Sequence, residues 1–291
     1  MGENTLKKRK TLIYLADLTH TGAVISSEVF PLGIGLVGAH LLDKLPDDVD
    51  VELFKFPQDL NTTLEKKVPK IIGFANYSWN LDLAYSFAEK IKKKFPKVVV
   101  VFGGPNYGLS EEECHDFLCS YPAIDFHIVK EGELAMVELV KNLVRYNFDV
   151  ESLIQAGIPL HGCHFMKQGQ LVTHDLLPRI KNLEELASPY LMGLMDKFFD
   201  TTLVPMIHTT RGCPFKCTFC TEGALYYQKV AQRIDLKNEL DYITARLNEQ
   251  QDLYISDANF GMFKEDINKA KLIAQFQEKF GWPKIIYVNT G

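Results

Sequence analysis

Three cysteines close together in the second half of the chain offer the clearest chemistry in the sequence. They are Cys213, Cys217 and Cys220, in a Cys-x3-Cys-x2-Cys arrangement directly after a predicted strand. Cysteine thiolates bind iron–sulfur clusters or zinc. Three thiolates on one short loop can hold three irons of a cubane cluster and leave the fourth iron open to a substrate or a cofactor. The spacing therefore favours an iron–sulfur site with one open coordination position.

Two other interpretations of this loop stay open. Zinc would need a fourth ligand, and the nearest candidate, His208, is predicted to lie on the preceding strand rather than on the loop. The cysteines could also carry no metal. Their tight spacing in a chain of this length argues against a secreted disulfide framework. The remaining cysteines, Cys114, Cys119 and Cys163, are scattered, and we interpret them as small apolar side chains.

The composition is that of a folded, mildly acidic globular protein. The 291 residues are 46% hydrophobic and 24% charged, with a formal net charge of -5, and this length predicts about two domains. The chain lacks the basic footprint that binding to a phosphate backbone needs, so no nucleic-acid partner is predicted. The longest nearly apolar stretch, residues 32–42, is too short to span a membrane. Because Asp17 also interrupts the one signal-like start, we expect a cytoplasmic protein.

The first half of the chain alternates strand and helix patterns. Short apolar segments predict strands at 11–16, 51–56, 71–75, 98–102 and 124–129. Helical patterns cover 31–45, 81–95 (with Asn80 as its cap), 111–118 and 133–146. The alternation predicts an α/β fold, with a doubly wound, flavodoxin-like parallel sheet in residues 1–150. Ligands of such sheets bind at the carboxyl ends of the strands.

The second half begins differently. Residues 151–203 predict a hairpin around Lys167–Gln170 followed by a connector. A second strand–helix series occupies residues 204–291. Its strands begin near Met206, Leu253 and Lys284, and its helices cover 235–248 and 267–280.

The cysteine loop resembles the signature of radical S-adenosylmethionine (SAM) enzymes, including an aromatic residue, Phe219, just before the last cysteine. The resemblance implies that the cysteines hold a [4Fe-4S] cluster, that its open iron chelates SAM, and that Phe219 lies beside the adenine. It also implies a partial (βα)6 barrel whose second strand ends at Asp257-Ala-Asn-Phe, near the methionyl amine of SAM. Asp257 and Asn259 are therefore candidate SAM contacts. The usual Gly-Gly-Glu is absent, and a turn or capping role for Asp257 is the alternative.

The domain ahead of this loop resembles the cobalamin-binding domain of cobalamin-dependent radical SAM enzymes. The resemblance is carried in order by Pro31-Leu-Gly-Ile-Gly-Leu, Tyr77-Ser-Trp-Asn, Gly103-Gly-Pro-Asn and Glu131-Gly-Glu. It implies bound cobalamin, with candidate contacts at Thr19, Thr21, Gly22, Tyr77, Ser78, Trp79, Gly103, Gly104, Pro105, Glu131 and Gly132. The glycine pair would let the backbone approach a bulky ligand closely. An ordinary strand-to-helix turn is the alternative explanation of this pair.

One segment departs from the family pattern. Cobalamin enzymes that ligate cobalt through a histidine carry Asp-x-His-x-x-Gly. This chain has Asp17 and Gly22, but Thr19 stands at the histidine position and His20 comes one residue later. Many radical members of the family lack this histidine. We therefore interpret His20 as a loop residue and expect cobalamin to bind without a protein ligand to cobalt; ligation by His20 is the alternative.

A second glycine motif matches the pattern of dinucleotide binders but lies in the wrong structural context. Gly33, Gly35 and Gly38 satisfy Gly-x-Gly-x-x-Gly, but a long loop separates them from the first strand and they lie inside a predicted helix. Dinucleotide binders place this motif directly after the strand. We interpret these glycines as close packing of a helix against the sheet rather than as a nicotinamide-cofactor site.

Together these resemblances imply a cobalamin-dependent radical SAM enzyme, which we interpret as a methyltransferase. Reductive cleavage of SAM, with an electron from a donor such as flavodoxin or ferredoxin, would give a 5′-deoxyadenosyl radical that removes hydrogen from a small-molecule substrate. Methylcobalamin would then deliver the methyl group. The alternatives are a radical rearrangement or cyclisation without methyl transfer, and a non-catalytic cobalamin- or iron–sulfur-binding fragment. Because the family's barrel has six βα units and only about three strands follow residue 203, we expect a truncated chain with an exposed parallel edge.

Overall fold

A computed structural model describes residues 10–22 and 27–290. The described chain divides into two compact units, the first with residues 10–22 and 40–177 and the second with residues 27–39 and 178–290. In this part of the chain, no helix is both long and apolar enough to cross a membrane.

Strands and helices alternate through the first five strands. The elements up to residue 177 are β1 (Thr11–Ala16), α1 (Leu32–Lys44), β2 (Val49–Phe54), α2 (Pro57–Lys66), β3 (Ile71–Ala75), α3 (Leu81–Lys94), β4 (Val99–Gly103), α4 (Glu111–Ser120), β5 (Phe126–Ile128), α5 (Gly132–Arg145), α6 (Val150–Gln155), β6 (Cys163–Lys167) and β7 (Gln170–Val172).

The first five strands form a parallel sheet in the order β2-β1-β3-β4-β5, and the hairpin β6–β7 extends it with antiparallel pairing. The register aligns Ile13 with Ile71 and Ile71 with Val99. All five residues of β3 are buried, as expected for a strand that is covered on both faces. This strand order is that of a flavodoxin-like doubly wound sheet, so the predicted fold class is confirmed.

Asn80 precedes α3 without capping it. Its side chain makes no cap hydrogen bond to the helix. Instead, Asn80 Oδ1 accepts from the backbone N–H of Tyr77 at 2.9 Å, and Nδ2 donates to Asp17 Oδ1 at 3.1 Å. The predicted capping role is therefore wrong, because this side chain joins the loop after β3 to the end of β1.

The second unit contains a smaller parallel sheet. Its labelled elements are β8 (Met206–Ile207), β9 (Thr210–Arg211), β10 (Ala231–Gln232), α7 (Lys237–Thr244), β11 (Asp252–Ile255), α8 (Lys264–Phe280) and β12 (Ile285–Val288). Strands β8, β11 and β12 pair in parallel in the order β12-β11-β8, while β9 and β10 form a short antiparallel pair. Helices α7 and α8 follow β8 and β11 in sequence, which is the arrangement expected at the start of a βα barrel.

The outer strand of this sheet is exposed. Its four side chains are 38–52% accessible, namely those of Ile285, Ile286, Tyr287 and Val288. The exposed parallel edge expected from the sequence is therefore present among the described residues.

Candidate functional site

Four loops of the first unit carry the residues predicted to contact cobalamin. These loops follow β1 (Thr19, Thr21 and Gly22), β3 (Tyr77, Ser78 and Trp79), β4 (Gly104 and Pro105, directly after Gly103, the last residue of the strand) and β5 (Glu131 and Gly132). The carboxyl ends of parallel strands lie at the same edge of a sheet. The fold therefore brings all four loops to one edge, which is where doubly wound sheets bind ligands.

A buried ion pair joins the ends of β1 and β2 at this edge. Lys55 Nζ lies 2.9 Å from Asp17 Oδ2, and the Lys55 side chain is fully buried. The other carboxylate oxygen of Asp17 accepts from Asn80. Asp17 therefore compensates a buried ammonium group and also fixes the loop after β3. Lys55 was not predicted as a site residue, because a lysine at the end of an alternating strand usually faces solvent.

The loop after β1 places its predicted contacts differently. Thr19, at the family's histidine position, is fully buried, and its N–H donates to the carbonyl of Lys55 at 3.0 Å. Thr21 is half-buried and its hydroxyl accepts from Gln58 at 3.2 Å, while Gly22 is exposed. The surface of this edge therefore presents Thr21 and Gly22 but not the side chain of Thr19.

Two aromatic rings after β3 form a flat surface. The rings of Tyr77 and Trp79 stack with centroids 4.5 Å apart and an angle of 9° between their planes. Trp79 keeps 49% of its surface exposed, and Ser78 between them is also exposed. Burial and the nearby carboxylate of Asp17 raise the pKa of Tyr77 to about 12. This pair offers a neutral aromatic face to a flat ligand.

The glycine pair after β4 has a protein contact that accounts for one of its members. Gly104 has φ of +137°, and a Cβ there would lie 2.6 Å from the carbonyl oxygen of Asn76. A Cβ on Gly103 would only reach ordinary contact distance, 3.5 Å, from Ile128. A glycine is therefore needed at position 104, where the protein backbone comes close, as the turn interpretation expects. The contacts around Gly103 would accommodate a larger residue.

A buried histidine supports the loop after β4. The Tyr107 ring stacks on His127 with centroids 3.7 Å apart, and its hydroxyl lies 3.1 Å from His164 Nδ1. Asn76 Nδ2 lies 3.4 Å from His127 Nε2. The pKa of His127 is lowered to about 3, mainly because the ring is buried. The imidazole is therefore neutral near pH 7. The neutral ring therefore has a structural role at the carboxyl edge of the sheet, where it packs against Tyr107 and Asn76.

The loop after β5 turns sharply into α5. Lys130 has φ of +66°, Glu131 stands at the N-cap position and Gly132 is the first helical residue. The left-handed backbone at Lys130 directs the chain from β5 into the helix. Glu131 and Gly132 consequently lie at the carboxyl end of β5, as predicted from the sequence.

In the second unit, the cysteine loop leaves β9 through a left-handed glycine. Gly212 has φ of +99°, and a Cβ there would lie 2.5 Å from the carbonyl oxygen of Tyr227. The next N–H, of Cys213, donates to that same carbonyl at 2.9 Å. Cys213 is buried, whereas Cys217 and Cys220 are exposed. The loop therefore presents two thiols to solvent and holds the first against the protein.

The donor set fits an iron–sulfur cluster in kind. It consists of three thiols on one short loop. His208, the candidate fourth zinc ligand, is half-buried between β8 and β9 and not on a strand, so its predicted place on the preceding strand is wrong. The described residues contain no group of three or more His, Cys, Asp or Glu side chains arranged to hold a metal ion. The structure thus supplies the ligands on one loop without bringing the three sulfurs together.

The side chain of Asp257 is hydrogen-bonded within the protein. It is fully buried, and its carboxylate accepts from the N–H of Thr209 at 2.7 Å and from the Thr209 hydroxyl at 2.5 Å. Desolvation raises the pKa of this carboxyl, while the hydrogen bonds from Thr209 oppose that shift. These bonds join Asp257 to a segment 48 residues earlier in the chain and not to a local turn or a helix cap. The contact between Asp257 and SAM stays a prediction.

A buried lysine on α8 completes this polar network. Lys269 Nζ donates to the hydroxyls of Thr209 and Thr210 at 2.9 and 3.2 Å and lies 2.9 Å from Asp266 Oδ1. Both Lys269 and Asp266 are 1% exposed. The network joins Thr209 and Thr210, which precede the cysteine loop, to the first turns of α8. The sequence analysis did not predict it.

The two remaining predicted SAM contacts differ in their surroundings. Phe219 is 92% exposed, so its ring is available to a ligand. Asn259 Nδ2 lies 3.1 Å from Cys213 Sγ, the buried thiol of the loop. Asn259 therefore lies beside the cysteine loop and its side-chain amide contacts a sulfur atom, while its predicted contact with SAM stays a prediction.

Comparisons with known proteins agree with this architecture. Residues 19–140 match the family described as the B12 binding domain. The chain is 28% identical over 229 residues to the cobalamin-dependent radical SAM methyltransferase TokK of Streptomyces tokunonensis, which covers 76% of this chain and 32% of TokK. It is also 28% identical over 231 residues, with the same coverage, to 2-(S-pantetheinyl)-carbapenam-3-carboxylate methyltransferase of Streptantibioticus cattleyicolor.

A solved structure shares the fold. The radical SAM methyltransferase TsrM of Kitasatospora setae, with cobalamin and a [4Fe-4S] cluster bound, superimposes with a TM-score of 0.63 at 16% identity, covering 94% of this chain and 54% of TsrM. The chain spans about a third of the length of the curated relatives named above. The predicted resemblance to cobalamin-dependent radical SAM enzymes is confirmed.

Proposed function

We propose that this chain supplies the cobalamin-binding domain and the cluster-binding first half of the SAM domain of a cobalamin-dependent radical SAM methyltransferase. One observation carries the proposal. A three-thiol loop follows β8, the first strand of a parallel βα sheet, and the short strand β9, in the same chain as a doubly wound sheet that matches the B12 binding domain.

The cysteine loop would hold the [4Fe-4S] cluster through Cys213, Cys217 and Cys220. When bound, the cluster and SAM supply a 5′-deoxyadenosyl radical, and cobalamin supplies the methyl group. The exposed ring of Phe219 would pack beside the adenine of SAM. Because Asp257 is occupied by Thr209, we do not carry that residue into the proposed SAM site.

At the edge of the first unit, the chain's task is to hold and orient cobalamin. The exposed face of the stacked Tyr77 and Trp79 would lie against the flat ligand, and Ser78 would donate a hydrogen bond to it. Other proposed contacts share this edge: Thr21, Gly22, Gly103, Pro105, Glu131 and Gly132. The buried Asp17–Lys55 pair would keep the loops in register rather than touch the ligand.

Two partners follow from the proposed chemistry. A one-electron donor such as flavodoxin or ferredoxin would reduce the cluster. A small molecule would be the substrate that loses hydrogen and receives the methyl group.

A cysteine variant tests the proposed cluster site directly. We expect anaerobic reconstitution with iron and sulfide to give cluster absorbance, and Cys217→Ala to lose most of the iron and the absorbance. The matched control is Cys119→Ala, which removes an exposed cysteine outside the loop and should leave both unchanged. Full iron content and full SAM cleavage in Cys217→Ala would overturn the proposal.

Labelled SAM separates methyl transfer from the other radical reactions. We expect methyl label from SAM to be recovered with cobalamin bound to the reduced, reconstituted chain. Label that stays only in SAM and methionine would instead favour a radical rearrangement or cyclisation.

A further inference from the structure

The first cysteine of the loop differs from the other two in its surroundings. Cys213 is 8% exposed and receives the side-chain N–H of Asn259, with 3.1 Å between Nδ2 and Sγ. Cys217 and Cys220 are exposed. One of the three thiols is therefore already hydrogen-bonded and held in place by a side chain from another strand end.

The loop that carries Asn259 is itself fixed on both sides. Before it, the Asp257 carboxylate is bound to Thr209. Immediately after it, the N–H of Phe260 donates to the carbonyl of Asn289 at 2.8 Å. These contacts fix the chain on both sides of Asn259.

The far end of the same loop is held by one buried carboxylate. Asp266 Oδ2 accepts from the N–H groups of Gly261 and Phe263, each at 3.0 Å. Asp266 Oδ1 is in turn paired with Lys269. The whole segment is thus tied to the second unit's interior, and a loop this well anchored is suited to orienting a functional side chain.

We propose that Asn259 is a positioning residue for Cys213, which holds this sulfur in place and, once the cluster is bound, donates a hydrogen bond to it that raises the cluster's reduction potential. Resting on the proposed function, this inference gives Asn259 a role toward the sulfur rather than toward SAM. Hydrogen bonds to cluster sulfurs favour the reduced state, because reduction adds negative charge that the donor stabilises.

The direct test is the midpoint potential of the cluster in the reconstituted full chain, measured by titration with spectroscopic detection of the reduced state. We expect Asn259→Leu to load iron nearly as well as the unaltered chain and to shift the potential to a more negative value. Asn259→Asp, which keeps the shape of the side chain and removes the donor, should shift it in the same direction. The control Asn268→Leu removes an exposed asparagine of α8 and should leave the potential unchanged. An unchanged potential in both variants of Asn259 would overturn the inference.

A second measurement needs no cluster and separates this inference from the proposed function. In the metal-free chain, we expect iodoacetamide to modify Cys213 more slowly than Cys217 and Cys220, as mapped by mass spectrometry. Asn259→Leu should slow modification of Cys213 about twofold, because the amide donor stabilises the reactive thiolate, while Asn268→Leu should not. If the unaltered chain binds no iron, the proposed function fails. If the rate at Cys213 is the same with and without the Asn259 amide, the positioning role fails.

Discussion

The ammonium group of Lys55 lies 2.9 Å from the carboxylate of Asp17, and the lysine side chain has no exposed surface. Asp17 matches the aspartate of the Asp-x-His-x-x-Gly pattern found in cobalamin enzymes that ligate cobalt through a histidine. Here Thr19 replaces the histidine and is buried, and the carboxylate instead pairs with a buried cation from the neighbouring strand. The ion pair is therefore part of the framework under the predicted cobalamin edge.

Removing the cation should destabilise the first unit. We expect Lys55→Met to lower the free energy of unfolding by about 3 kcal/mol, because it leaves Asp17 without its charged partner in a mostly buried position. Urea denaturation of the full chain would measure the change. Lys66→Met, at an exposed position of α2, is the control and should have little effect. Equal stability of the two variants would contradict the structural role of this pair.

The two glycines at the end of β4 should respond unequally to a methyl group. We expect Gly104→Ala to lower stability by about 1–3 kcal/mol, because alanine would be strained at φ of +137° and its Cβ would clash with the Asn76 carbonyl. Gly103→Ala should cost much less, since its Cβ meets Ile128 at ordinary contact distance. Thermal denaturation of both variants gives the comparison, and a larger loss of stability at Gly103 would contradict the close approach of Gly104 to the Asn76 carbonyl.

His127 should make the stability of the first unit depend on pH. Its pKa in the folded chain is about 3, below the ordinary value of 6.5, so the unfolded state binds more protons between these values. Stability from this group is therefore full above about pH 6.5 and falls as the pH is lowered toward 3, by about 1.4 kcal/mol per pH unit at most.

Denaturant unfolding at pH 5 and pH 7 would measure this effect. Replacing the ring in His127→Phe should reduce the difference between the two pH values relative to the unaltered chain. If the variant keeps the full difference, other groups account for the acid sensitivity.

Lys269 should control the order of the loop beside the cysteines. We expect Lys269→Met to leave Asp266 without its ammonium partner and to loosen the hydrogen bonds that the carboxylate accepts from Gly261 and Phe263. Their amide hydrogens should then exchange faster in a hydrogen-exchange experiment. Lys271→Met, at an exposed position of the same helix, should leave these rates unchanged. Equal exchange rates of the Gly261 and Phe263 amides in both variants would show that Lys269 does not stabilise this loop.

The fold was predictable where burial produces continuous apolar segments. Strands β3 and β4 are apolar along almost their whole length because both faces of the central sheet are covered. Helix α2 was missed, because in its polar sequence only Leu60 and Leu64 are buried. Two buried positions give too weak a helical period to distinguish the segment from a loop.

The sequence predicted which loops form the site, but it did not predict which side chains contact one another there. Chain order alone places the four loops of the first unit at one sheet edge, because parallel strands end together. The role of Asp257 depends on Thr209, a contact between distant positions that no local pattern contains. Lys269 has the sequence pattern of an ordinary charged helix residue, and only the packing of α8 makes it buried.

The most direct test of the central claim is a combined iron and cobalt analysis of this chain. The chain is loaded without oxygen with iron, sulfide and cobalamin, and then freed of unbound metal. We predict about four irons and about one cobalt per chain, as one [4Fe-4S] cluster and one cobalamin require. A chain that retains neither metal after this treatment would contradict the account.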